Sequence, residues 1–410
     1  MSGKETGRHG SRAETDWAGV GFGVALASLV AYQQFKLPPV LPTLLERYGY
    51  DRALAGGFMS IYAVAGLLFS VAIGRWLVRH GAMRGVAAAA LLMIAGNSLS
   101  LLAPQSGWVM LAGRAFEGCS FAFGAILGPA IAGACASPRH RHFAIALISA
   151  WIPVGQIAAG LGAPVALAAG RWQDLWYVGI AATAALWLWS LTLARRGTFG
   201  LGNAGRGMAE PSLSARENRA LLIGSGIFLL WAAQYFAYMT WLPQYLVEAR
   251  ALGPVAAVFG YLLPVVVLMG FNLLTGEILR RGMGVTLLLL IGVASQAITW
   301  WLTPLAQSDE AGIALLVFYG IGAGITPTCL FALPGAILGR AAGPHVFAVI
   351  MTGRNVGVLI GPIMLALLQG HGGWNAVAPL LAVTTSLATV GALLLHAKHR
   401  HDAHGAREPA

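Results

Sequence analysis

The feature that most constrains this chain is a run of long apolar segments separated by short polar breaks. A hydrocarbon core about 30 Å thick is crossed by about 20 helical residues. Apolar stretches of that length recur at 17–37, 53–73, 85–103, 107–136, 143–168, 173–193, 220–246, 253–279, 284–304, 311–338, 345–369 and 374–396. They are rich in Ala, Leu, Val and Gly without period-2 alternation, which selects helices over a lipid-facing barrel. Only 10% of residues are charged, against about a quarter in soluble proteins, and mean hydropathy is +0.71. The expected fold is an all-α membrane protein of twelve transmembrane helices, with the lipid bilayer as its first partner.

Charge placement predicts orientation. Of 26 Lys and Arg, 19 fall in the N-terminal tail, the even-numbered loops and the C-terminal tail. Arg47, Arg52, Arg171 and Arg250 are alone in the odd-numbered loops, and three more lie in or at the ends of spans. The positive-inside rule then puts both termini in the cytoplasm, and a bacterial inner membrane is the expected location. The net charge of +11 is accounted for by topology, so no nucleic-acid partner is expected. Span 1 reads as an uncleaved anchor. Cys119, Cys135 and Cys329 fall inside spans without ligand spacing and read as small packing residues; no metal or other cofactor is expected.

The longest polar break, 195–219, is rich in Gly, Ser and Arg and divides the spans six and six. It reads as a cytoplasmic linker between an N-terminal bundle with its tail, 1–194, and a C-terminal bundle with its tail, 220–410. The halves also repeat. Gln33 and Leu41-Pro42 match Gln234 and Leu242-Pro243 at an offset of 201, while Gly74 matches Gly276 and Gly155 matches Gly357 at 202. "GRW" at 170–172 returns as "GGW" at 372–374. Two pseudo-symmetric six-helix bundles joined by a linker form the architecture of transporters that hold solute between repeats near the midplane.

The break after span 2, "GRWLVRHGAMR" (74–84), resembles the signature loop of the major facilitator superfamily, through Gly74, Arg79, Gly81 and Arg84. In that family the loop gates one closed state; here the acidic position of the pattern is Val78. "GRAFEGCSFAFG" in span 4, "WIPVGQIAAGLGAP" in span 5 and "GRNVGVLIGP" in span 11 are similar to the subgroup containing cyanate permeases and related organic-anion carriers. The resemblance implies a major facilitator fold and a monomeric secondary transporter. It also implies that an arginine at the position of Arg114 serves either proton coupling or packing against span 1.

An ionised side chain at the centre of a span costs about 2.5–3.5 kcal/mol on insertion scales and persists where it has a partner, water or a ligand. Arg354 lies about nine residues into span 11, about 13 Å along the helix at about 1.5 Å per residue. Gly353, Gly357 and Gly361 form a small face for close helix packing. Arg354 and Asn355, off that stripe, could offer a guanidinium fork and an amide to a small planar anion, or could bridge neighbouring helices.

Arg114 and Glu117 are one helical turn apart. Glu117 is the one carboxylate deep in a predicted span, so it is either the coupling proton carrier or the permanent partner of Arg114. Lys36, near the outer end of span 1, is expected to snorkel to water. Tyr32, Gln33 and Gln34 on span 1, Gln234, Tyr235 and Tyr238 on span 7, and Gln156 on span 5 form a further ring, for binding or for packing.

No HExxH, paired-aspartate or GxxxxGK[ST] motif occurs, which leaves an enzyme or an ATP-driven pump without support. The function read from the sequence is secondary active transport of a small anionic organic solute by alternating access, with protons as the candidate coupling ion. The alternative is a non-transporting sensor or accessory protein on a transporter fold.

Overall fold

Residues 14–198, 213–338 and 344–405 are described in the computed structural model. Among these residues, twelve helices are long and apolar enough to cross a membrane. Several begin at side-chain caps that satisfy the otherwise orphaned first-turn amides. Asp16 accepts from Gly19 N, Asp51 from Leu54 N and Ser106 from Val109 N, and Ser214 with Glu217 forms a reciprocal capping box.

The N-terminal half comprises α1 (Trp17–Phe35), α2 (Leu37–Tyr48), α3 (Arg52–His80), α4 (Ala82–Leu102), α5 (Gly107–Cys135), α6 (Arg141–Ser149), α7 (Trp151–Ala168) and α8 (Asp174–Arg195). The C-terminal half comprises α9 (Ala215–Glu248), α10 (Pro254–Arg280), α11 (Val285–Leu302), α12 (Asp309–Leu338), α13 (Pro344–Gly372) and α14 (Val377–Gly405).

Three segments differ from the sequence reading. Span 1 does not end near residue 37: α1 and α2 together cross as one broken span to Tyr48, because Pro38 and Pro39 sit in the first turn of α2, where a missing N–H costs nothing. Span 5 is divided into α6 and α7 at Ala150. The 74–84 "loop" is mostly helix: Gly74 and Arg79 lie in α3, Arg84 in the first turn of α4, and only Gly81, at φ +82°, leaves the helical conformation. Interfacial charges do not interrupt a helix whose backbone bonds are already internal.

The duplication is visible in the packing. Gly155 of α7 sits against the backbone at Ser28 and Tyr32 of α1, and Gly357 of α13 sits against Leu229 and Ala233 of α9. A side chain at either glycine would meet main-chain atoms. Likewise Gly118 of α5 meets Tyr62 of α3, and Gly320 of α12 meets Pro264 of α10, each partner displaced by 202.

Between the halves, α3 packs on α13 and α7 on α10, while α2 leans on α9. At one membrane face Arg52 donates to both oxygens of Glu248, at 2.6 and 3.3 Å. Further in, Gly56 meets Pro362, Phe35 stacks 5.9 Å from Phe236, and Gly66 meets Asn355. Toward the face that carries the described ends of the chain, α5 and α12 pack mainly within their own halves. The halves thus close on the Arg52–Glu248 side of the membrane.

Candidate functional site

The break between α1 and α2 creates the first requirement. Pro38 has no N–H to offer the carbonyl of Gln34, four residues back. Arg114 supplies the donor: Nη2 bonds Gln34 O at 2.8 Å, Nη1 bonds Gln33 O at 2.8 Å, and Nε bonds Phe58 O at 3.2 Å. Its charge is met by Glu117 Oε2 at 2.6 Å from Nη1. Tyr62 also donates to Oε2 at 2.6 Å, and its ring lies 4.5 Å from the guanidinium.

Lys36 completes this cluster. It was expected at the water interface, yet it is fully buried, because the span continues for twelve residues of α2 beyond it. Its Nζ donates to Gln33 Oε1 and Asn97 Oδ1, each at 2.5 Å, and to Glu117 Oε1 at 3.2 Å, under the Trp176 ring at 4.4 Å. Asn97 Nδ2 bonds Met93 O and Gln33 Nε2 bonds Thr183 Oγ1, which turns both amide oxygens toward the ammonium. Three protons meet three oxygens. Lys36, Arg114 and Glu117 are all 0% exposed, so the cluster is sealed inside the N-terminal bundle. Tyr32, beside it, donates to Leu175 O and ties α1 to α8.

The second group crosses between halves. Gln156 of α7 donates to Tyr261 Oη of α10 at 2.9 Å and accepts from Tyr235 of α9 at 3.1 Å. All three side chains are buried and neutral.

The third group is Arg354. Its helix is fixed by the glycine stripe: Gly353, Gly357 and Gly361 meet the backbone of Ser225, Leu229 and Ala233, successive turns of α9. That contact turns Asn355 toward Gly66 of α3. Arg354 Nη1 bonds Asn355 Oδ1 at 3.0 Å, and its guanidinium lies 5.4 Å from the Phe236 ring. Among the described residues no carboxylate is within ion-pair distance of it. One of its five N–H donors meets a protein acceptor among the described residues, which leaves a guanidinium fork able to pair with an anion.

Gln234 and Tyr238 stand apart, in an aromatic cluster of the C-terminal bundle. Gln234 Oε1 accepts from Trp300 Nε1 at 3.1 Å and Tyr319 Oη at 3.2 Å, while Tyr238 packs edge-on against both rings. Tyr238 and Trp300 also line a cavity of about 470 Å³ with Arg250 and Trp374 toward the closed face. Arg79 and Arg84 are exposed at the opposite membrane face, remote from Arg354 along α3.

The sequence reading named Gln33, Gln156, Arg114, Glu117 and Arg354 but not Tyr62, Asn97, Trp176, Phe236 or Tyr261. The missing donor at Pro38 was the available signal for Arg114; the others are packing partners from distant helices, without local signature.

The sequence pattern of the Major Facilitator Superfamily matches residues 23–343. Among solved structures, a bacterial homologue of the human lysosomal transporter Spinster, in an inward-facing and unoccupied conformation, is 14% identical, with 95% of this chain and 96% of that chain covered and a TM-score of 0.69. The human organic anion transporter MFSD10 (TETRAN) is 17% identical, with 92% and 100% covered and a TM-score of 0.68. At such identities the likeness is one of fold. No curated protein matches in sequence.

Proposed function

The chain belongs to the Major Facilitator Superfamily, and from that premise we propose that it is a secondary active transporter that moves a small anionic organic solute by alternating access. The observation that carries the proposal is Arg354: a buried cation with no carboxylate partner among the described residues, on a helix that packs against both halves. Asn355, which bonds it, and Tyr235 with its partner Gln156 complete the solute site. Gln33, Gln234, Tyr32 and Tyr238 act behind it as packing and orienting residues.

Arg114 has its donors engaged by Glu117 and by carbonyls of the broken span. We assign it to holding that break rather than to solute. Glu117 is then the counter-ion of Lys36 and Arg114. Proton coupling through Glu117 is the competing role.

The charge asymmetry of the loops supports cytoplasmic termini, an inner-membrane location and a linker at 195–219 between halves 1–194 and 220–410, acting as a monomer. The Arg52–Glu248 side is then external and the structure faces inward, with Gly74, Arg79, Gly81 and Arg84 at the cytoplasmic face. Cysteines introduced at positions 206 and 309 should label from opposite sides of the membrane.

Two other readings support screening organic anions: the resemblance of spans 4, 5 and 11 to the cyanate-permease subgroup, and the fold shared with an organic anion transporter. The test is flux of labelled small carboxylates into liposomes holding the purified protein. Uptake that counterflow accelerates supports transport. Absence of flux for every anion, with a folded protein, returns the sensor reading.

A further inference from the structure

Three buried cations and one buried carboxylate lie in the span interiors described here. Their hydrogen bonds divide them unequally. Lys36 has an oxygen for each ammonium proton and a ring over it. Arg114 donates to three backbone carbonyls and to Glu117. Both are sealed from solvent, so the excess positive charge of this cluster has no donor to present to a solute. It raises the local potential without forming a second contact.

Arg354 is the remaining cation, and its contacts are neutral: the Asn355 amide and the Phe236 ring, against which Tyr235 packs at 5.4 Å to open the Tyr235–Gln156–Tyr261 chain. In that chain the Tyr235 hydroxyl donates to Gln156, and Gln156 donates to Tyr261. Such groups recognise a hydroxyl, carbonyl or ester oxygen. They carry no charge to neutralise a second ionised carboxylate, which is costly to desolvate when no cation meets it.

Building on the reading of Arg354 as the solute-binding cation, we propose that the site selects monoanions: a solute with one carboxylate on Arg354 and a neutral hydrogen-bonding group toward Gln156 and the two tyrosines. Dicarboxylates of the same length are excluded. One free guanidinium sets the charge of the cargo.

Matched pairs that differ only in charge test this: the monomethyl esters of malonic, succinic and phthalic acids against the corresponding diacids, at pH 7, where the diacids are predominantly dianions. The readout is thermal stabilisation of the purified full chain as a function of concentration, for wild type and Arg354→Gln. At least one monoester should bind about tenfold or more tighter than its diacid, and its response should vanish in Arg354→Gln. A second variant, Gln156→Lys, places another cation in the site and should move the preference toward the diacid.

Diacids that bind as tightly as the monoesters, with both responses lost in Arg354→Gln, would overturn monoanion selection and leave the anion site standing. Responses indifferent to Arg354→Gln, or no response from any pair, would overturn the anion site and this inference with it.

Discussion

Gln33 and Gln234 stand at matching places in the repeat, and the two halves use them differently. In the N-terminal half Gln33 Oε1 accepts from an ammonium within a cluster of three ionised groups. In the C-terminal half Gln234 Oε1 accepts from an indole and a phenol, and its Nε2 is buried with no hydrogen-bond partner among the described residues. The position of Glu117 is held there by Tyr319, 202 residues on. One half therefore closes its ionic network on itself, and the other, built on neutral aromatic contacts, leaves its arginine without a carboxylate partner among the described residues. The same helix packing recurs in both halves, and a few buried polar residues make the difference between them.

The comparison breaks most readily at Glu117. Removing one member of a buried ionic group leaves the others uncompensated, a loss of about 3–5 kcal/mol, so Glu117→Gln should strongly lower the thermal stability of the purified protein. If that variant is as stable as wild type and loses only accumulation driven by a proton gradient, Glu117 is the proton carrier and the two halves differ less than the hydrogen bonds imply.

The shared scaffold is tested by placing Val at Gly155 or at Gly357. Each side chain would press on main-chain atoms of α1 or α9, an overpacking cost of about 1–3 kcal/mol. The two variants should lose stability by similar amounts. A severe loss at one site and none at the other would contradict the equivalence of the two packings.

A smaller effect should follow Trp300→Phe, which removes one neutral hydrogen bond to Gln234 and costs about 0.5–1.5 kcal/mol. Smallest is Arg52→Gln at the closed face. Its side chain is 34% exposed, and pairs of that kind contribute about 0.2–1 kcal/mol. Stability should barely change, while a cysteine placed near Gly56 should label faster from the Arg52–Glu248 side as the halves part more often. Unchanged labelling would remove Arg52–Glu248 from the closure.

Much of this was legible in the chain. Span length and composition carried the helices, because a bilayer leaves the backbone few options. The near-constant offset carried the two halves, and the isolation of Arg354 among apolar residues carried the candidate site. The glycine stripe beside it also read correctly as a close-packing face, although the sequence did not say that α9 was the partner.

Lys36 shows what was lost. Pro38 and Pro39 looked like the end of a span, which placed the lysine at the interface; in the structure the same prolines open a new helical segment and leave it deep in the bundle. Asn97, Tyr62 and Trp176 come to it from α4, α3 and α8, and no local pattern announces such meetings. The 74–84 break differs for a related reason: its charged residues predict a loop, while its backbone stays helical on either side of Gly81.

The central claim is that two buried arginines in one chain do different work. Arg114→Gln and Arg354→Gln, assayed side by side for thermal stability and for affinity toward the best-binding monocarboxylate, test it most directly. The expected result is a crossed pattern: Arg114→Gln unfolds at markedly lower temperature, whereas Arg354→Gln stays folded near the wild-type midpoint and loses solute affinity, with Arg354→Lys intermediate because a point charge replaces a two-pronged one. Wild-type affinity in a folded Arg354→Gln protein, or a collapse of its stability as severe as that of Arg114→Gln, would contradict the account.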